Sequence, residues 1–219
     1  FDVPIYGISL RNGLPGVKHA LEIIAKEHDC QLFISADIGS DTFFTGEETQ
    51  VCSPLIDAFS VICASEMSIP GVYALNGYGG DAEMHIAHLN RNVGECMRRG
   101  GFLGASGLTQ KDVLDLQKIF DIIGPDDVEQ WPQRAAKGEL GVFYCKRLWG
   151  VERIPAAAVT FFFDPDVVCA MNPAIQACMD TKTLQEAEDA IWSQCGILSE
   201  TRLAMDLPYP MPPQVPDQP

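Results

Sequence analysis

Residues 31–57, QLFISADIGSDTFFTGEETQVCSPLID, contain one complete strand–turn–helix unit, and its reading decides the fold. Leu32, Phe33 and Ile34 form a short apolar run between polar residues, the pattern of a buried strand. The run ends in Asp37-Ile38-Gly39-Ser40-Asp41, where the glycine marks a turn, and Gly46-Glu47-Glu48 adds two more carboxylates. Ser53 is placed to cap a helix, with Pro54 at the first helical position and Asp57 in the first turn. A strand, an acidic loop and a capped helix make a βα unit with chemistry at its bend.

Working outward, Phe1 to Leu10 reads as a strand weakened by Pro4. Asn12-Gly13 turns the chain, and Val17, Leu21, Ile24 and Ala25 recur at helical spacing up to His28. The helix from Ser53 runs to about Met67, followed by a strand at Val72–Leu75, a glycine-rich turn at Asn76–Asp81 and a helix from Ala82 to Arg99. Phe102–Gly107 is a short strand and turn, and Thr109 caps a helix over Lys111–Ile123 that Gly124-Pro125 stops. Asp126–Gly138 is predicted helical with an interruption at Pro132, and Leu140–Cys145 as a strand. Ala156–Phe163 is the most strand-like run and is expected at the centre of the sheet. Helices over Asp166–Met179, broken at Asn172-Pro173, and Leu184–Cys195 complete the pattern.

Apolar strands alternating with helices predict an α/β protein, Rossmann-like and three-layered, with a mostly parallel sheet. Residues 1–206 read as a single domain. Residues 207–219, LPYPMPPQVPDQP, read as a proline-rich extended arm.

Lys and Arg number 15 against 30 Asp and Glu, a net charge of −15 over 219 residues. That balance argues against nucleic acid and against an anionic membrane as partners. No apolar run approaches the roughly 20 residues a membrane span requires. Eight cysteines contain no C-x-x-C pair, so neither a structural zinc site nor a thioredoxin-like motif is indicated, and a reducing, cytoplasmic setting is expected. The chain opens Phe-Asp-Val without a basic-then-apolar leader, which is the expectation for a processed chain or a piece of a longer one.

Ligands in open α/β sheets bind at the carboxyl ends of strands, and Asp37, Asp41, Gly77–Asp81, Ser106 and Asp164 are all predicted at such ends. Clustered carboxylates suit a hard cation such as magnesium, with Asp37, Asp41 and Asp81 as metal ligands and Asp37, Asp41 and Glu48 as catalytic groups. The competing explanation is turn chemistry, Asp41 as an Asx-turn and Asp81 as a helix cap. Gly79 and Gly80 ahead of a helix could cradle a phosphate, although the full dinucleotide fingerprint is missing. His85 and His88 share a helix face that a solvated surface explains better than a metal site. Ser106, between Ala105 and Gly107, is a near miss to a nucleophile elbow without a partner histidine.

The motifs DIGSD, GEE, SPLIDA, GGDAEM and GGFLGASGL, in that order, resemble the domain-of-unknown-function family 1152 over roughly Pro4–Leu108. The resemblance implies a Rossmann-like α/β fold and no established activity. It also implies a glycine-rich strand–loop–helix upstream of Phe1, which a partner chain or homo-oligomer would have to supply if it is not covalently present. The expected function is a small-molecule enzyme acting on a phosphorylated or nucleotide-like substrate at an acidic, magnesium-assisted crevice. The alternative is a non-catalytic ligand-binding or scaffold subunit with a proline-rich docking arm.

Overall fold

The computed structural model describes residues 3–124, 128–144 and 150–206. The arm at 207–219 and Cys145 lie outside the described residues. Residues 3–9 have no regular structure and Ile5 is 92% exposed, so the expected first strand is not formed where it is described. Pro4 lacks a ladder donor and Gly7 has no side chain to pack, which removes the incentive for pairing. A 3-10 turn at Leu10–Asn12 leads into α1 (Gly13–Glu27), which buries Leu14, Val17 and Ala25.

The decisive unit follows as read: β1 (Phe33–Ile38), α2 (Pro54–Glu66) and β2 (Gly71–Asn76), with β1 and β2 parallel. Gly71 is required where α2 returns to the sheet, because a Cβ there would lie 1.8 Å from the Ala64 carbonyl oxygen. Then come α3 (Ile86–Arg98), β3 (Phe102–Gly107), α4 (Gln110–Ile123) with its Thr109–Asp112 capping box, and α5 (Trp131–Ala136). A small hairpin of β4 (Gly141–Tyr144) and β5 (Gly150–Arg153) precedes β6 (Val159–Phe163). Four helices close the described chain: α6 (Pro165–Met171), α7 (Pro173–Cys178), α8 (Leu184–Cys195) and α9 (Glu200–Asp206). Asn172 makes the predicted break between α6 and α7, accepting from the Ala174 and Ile175 amides.

The four-stranded sheet has the order β1-β2-β6-β3, and β6 runs antiparallel to both of its neighbours. The expectation of a mostly parallel sheet is therefore corrected: among the described residues only the β1–β2 pairing is parallel. The cause lies in the connection between β3 and β6. The α5 and hairpin segment packs at the carboxyl end of β2, with Pro132 against Gly77 and Trp131 against Gly80, so the chain enters β6 from that same edge. Consequently Asp164 lies at the opposite edge of the sheet from Asp37, where it caps α6 by accepting from the Asp166 amide.

The main core joins Tyr73, Leu75 and Phe163 of the sheet to Leu55, Phe59 and Ile62 of α2, Val168 of α6 and Ile175 of α7. Ser35, 3% exposed, turns toward α2 and bonds Ser60 at 2.6 Å, whereas its neighbour Ile34 on the opposite face is 47% exposed. A third layer over β1 is thus not found among the described residues. A second, smaller cluster of Ala82, Trp131, Ala135, Val151 and Ala157 sits at the carboxyl edge, with the buried Arg153 guanidinium 4.0 Å from the ring centroids of both Trp131 and Phe143. No helix among the described residues is long and apolar enough to cross a membrane. Cys63, Cys96, Cys169 and Cys178 are free and buried.

Candidate metal centre

Two turns laced together form the site. After β1, the Gly39 amide donates to Asn76 O at 3.0 Å, and Gly79 returns the bond to Gly39 O at 2.8 Å. Asp81 then reaches across, accepting from the Ser40 amide at 2.9 Å and from Ser40 Oγ at 2.8 Å. The contact is so close that a Cβ on Gly39, whose φ is +148°, would lie 2.3 Å from Asp81 Cγ. Ala82, buried beside Trp131, holds a left-handed φ of +63°, a strained non-glycine position of the kind that collects at functional turns.

Five carboxylates converge on these turns. One oxygen from each of Asp37, Asp41 and Asp57 lies within 4.8 Å of the others, and the same holds for Asp41, Asp81 and Glu83. Asp37 accepts from Thr42 Oγ1 at 2.9 Å and Tyr73 Oη at 3.1 Å. Asp41 accepts from Ser53 Oγ at 2.7 Å, and Glu83 from the Cys52 amide at 2.6 Å. Asp57 Oδ2 is shielded from solvent and takes no bond from a backbone amide or a hydroxyl, and the Asp41 carboxyl lies within hydrogen-bonding reach of the Asp57 carboxyl. Asp41, Asp81 and Glu83 are buried, and Asp37 and Asp57 are partly exposed only as whole residues, their carboxyls being desolvated.

Burial, followed by the charges of Asp41 and Asp81, raises the Asp37 carboxyl well above its usual range. Burial and then Asp41 and Asp37 do the same to Asp57. Asp81 is pushed up to about 7 by burial and the Asp41 charge, against the hydrogen bonds from Ser40 and Glu83. Glu83 is pushed up to about 10 by burial and then by Asp41 and Asp81. Carboxylates this close hold either shared protons or a cation, because they cannot all stay ionised on their own.

The sequence placed Asp37, Asp41 and Asp81 correctly at one edge and missed Asp57 and Glu83 as members of the group. Asp57 reads as an ordinary first-turn acid because Ser53 precedes it, yet Ser53 makes no side-chain cap and bonds Asp41 instead. The α2 amides of Leu55 and Ile56 are taken by Glu200 of α9, at 3.2 and 2.7 Å. Asp81 is not the cap of the following helix either. That role falls to His85, whose Nδ1 accepts from the Ala87 amide, and the exposed His85 and His88 stay outside the cluster.

Glu48 belongs to a different network. It accepts from the Thr45 amide at 2.9 Å, from Thr45 Oγ1 and from Asn92 Nδ2 at 2.8 Å, with Arg91 at 3.6 Å. Burial works to raise its carboxyl, but the bonds from Thr45 and Asn92 outweigh it and hold it below the usual range. Glu48→Ala is expected to cost about 2–3 kcal/mol of stability through the stranded Asn92 and Thr45 donors, measured by urea denaturation, while cation binding is retained.

Gly79 and Gly80 do not offer a phosphate cradle, since their amides already donate to Gly39 O and Gly77 O. A Cβ on Gly80 would lie 2.5 Å from Trp131 Cδ1, so that glycine is needed for packing. Ser106 is exposed on β3, paired with Thr160 and separated from β2 by β6, and is not brought to the carboxylates. Burial pushes the thiols of Cys63, Cys169 and Cys178 up to about 12, which removes them as ready nucleophiles.

The described residues thus define an α/β protein with a four-stranded mixed sheet and a buried acidic cluster that could hold a metal ion. The chain matches the family described as "Protein of unknown function (DUF1152)" over residues 1–207, and it belongs to that family. No curated protein and no solved structure matches it.

Proposed function

We propose that the protein is a small-molecule enzyme that holds a hard divalent cation, magnesium being the best suited, among Asp37, Asp41, Asp57, Asp81 and Glu83, and acts on a phosphorylated or nucleotide-like substrate. The observation that carries this reading is the convergence of the five carboxylates, with Asp57 Oδ2 shielded and without an amide or hydroxyl donor. An all-oxygen set at a strand edge suits magnesium, which keeps open positions for phosphate oxygens. When bound, the ion would supply charge for polarising a phosphoryl group. The chain's own part is to orient the ligands: Ser40 fixes Asp81, Ser53 fixes Asp41, and Thr42 and Tyr73 fix Asp37.

A Rossmann-like origin for the β1–α2–β2 unit belongs to the same proposal and rests on its parallel pair and connecting helix. So does a cytoplasmic setting, which the buried free thiols favour. The scaffold alternative draws on the four bonds that tie Asp81 to Ser40 and Glu83, because they would serve a purely structural turn. A homo-oligomer or partner chain is proposed against β1, an edge strand of the sheet whose open face carries Ile34 and Ala36. The test is thermal denaturation with magnesium or manganese, alone and with nucleotides or sugar phosphates. At ligand a hundredfold above its Kd, stabilisation of about 2.7 kcal/mol is expected, and it should vanish in Asp37→Asn. No shift with any pair transfers the case to the scaffold reading.

A further inference from the structure

We infer that Glu200 of α9 is a positioning residue for the cation site, acting through Ser53 on Asp41, an inference that rests on the metal-dependent reading above. At the start of α2 its carboxylate accepts from the Ile56 amide at 2.7 Å and from the Leu55 amide at 3.2 Å. Pro54, the first residue of α2, has no N–H, and the Asp57 amide already donates to Ser53 O at 3.3 Å. Glu200 therefore satisfies both amides that the first turn leaves without a partner inside the helix.

Ser53 is thereby released from the helix. A serine that caps has extended backbone and accepts from the second or third helical amide with its hydroxyl oxygen. Ser53 stands at φ −121° and ψ 38°, outside that conformation, and its side chain caps nothing. Its hydroxyl donates to Asp41 Oδ2 at 2.7 Å instead. Asp41 neighbours both the Asp37–Asp57 and the Asp81–Glu83 carboxylates, so its orientation matters to the whole cluster.

The place of Glu200 is itself held from α8. Thr201 donates to the buried Glu188, and Arg202 pairs with Glu188 at 3.5 Å and with Asp189. The position is a costly one for a carboxylate. Burial, Asp41 and Asp37 already raise the Asp57 carboxyl, and the Glu200 charge adds to them. A cap made by Ser53 would bring no further charge to that corner. Recruiting Glu200 from α9 instead leaves Ser53 for Asp41, which ties the C-terminal helix to the geometry of the site.

Manganese affinity of the full chain tests this, read by electron paramagnetic resonance of the free ion beside urea denaturation. Glu200→Ala and Ser53→Ala are each expected to weaken manganese binding about tenfold, the loss typical of a partner that orients a metal ligand. The double variant is expected to lose no more than either single one, because both act on Asp41 along one path. The same cycle with Glu200→Gln, whose side-chain nitrogen cannot accept from an amide, decides the matter where the alanine variant fails to fold. Additive losses overturn the path through Ser53. Wild-type manganese affinity in the Glu200 variants, with only the urea midpoint lowered, makes Glu200 a structural cap and leaves the metal-dependent reading standing. No manganese bound by the wild type overturns both.

Discussion

With divalent cations removed by a chelator, the protein is expected to lose stability steadily as the pH rises from about 5 to about 8. Asp81 takes up its proton at about 7 in the fold, against 3.8 in an unfolded chain. Glu83 does so at about 10 against 4.5. Between those values the folded protein holds more protons than the unfolded one, so unfolding releases protons and becomes easier as the pH rises. The stabilisation is complete below about pH 4 and is lost through 7 for Asp81 and on toward 10 for Glu83. A shift of this size at Asp81 alone corresponds to about 4 kcal/mol, an appreciable share of a domain's total stability. The sign reverses in acid for Glu48, whose carboxyl is held low and whose contribution is lost as it protonates. A stability optimum near pH 5 is the expected sum. Urea denaturation in chelator at about pH 5, 6.5 and 8 measures it, and saturating magnesium should flatten the decline. Stability that is constant or rises over that interval in chelator would contradict the shared-proton account of the cluster.

Gly39→Ala is expected to be the most damaging small substitution at the site, costing about 3 kcal/mol or more and abolishing the cation-dependent shift. Two effects combine there. The φ of +148° disfavours any side chain, and the new Cβ would lie 2.3 Å from Asp81 Cγ and Oδ2. Relief requires Asp81 to withdraw, which breaks its bonds to the Ser40 amide and hydroxyl and opens the Asp81–Glu83 side of the cluster. Gly104→Ala supplies the control, because its φ of +147° is equivalent while no atom lies within 4 Å of the added Cβ. The difference between the two variants isolates the contact with Asp81. Equal destabilisation by both, with cation binding intact in Gly39→Ala, would show that the close approach carries no functional weight.

Local chemistry was readable from the sequence wherever a short segment acts alone. The β1–α2–β2 unit, the Thr109 cap, the break at Asn172-Pro173 and the acidic edge at Asp37, Asp41 and Asp81 were all legible for that reason. What stayed hidden depends on partners distant in the chain. The direction of β6 is set by where α5 and the hairpin leave the chain, and no periodicity in Val159–Phe163 records it. Glu200 caps α2 from 144 residues away in sequence and so frees Ser53 to bond Asp41, a reassignment that the Ser-Pro start could not reveal. Gly79 and Gly80 looked like a phosphate loop because packing against Trp131 and a backbone turn demand the same residue type.

The place of β6 between β2 and β3 also sets an order of assembly. A ribosome delivers β1, α2 and β2 early, and this parallel pair with its helix can form from near neighbours in the chain. The β2 flank that later receives β6 must then wait until Phe161–Phe163 emerge, because β3 pairs with β6 and not with β2. During that interval the nascent chain presents an unsatisfied row of backbone groups beside Tyr73 and Leu75, the condition under which strands join the wrong neighbour. Among the described strands β6 comes last in the sequence, so chain stalled before residue 159 is expected to be the form most exposed to misassociation.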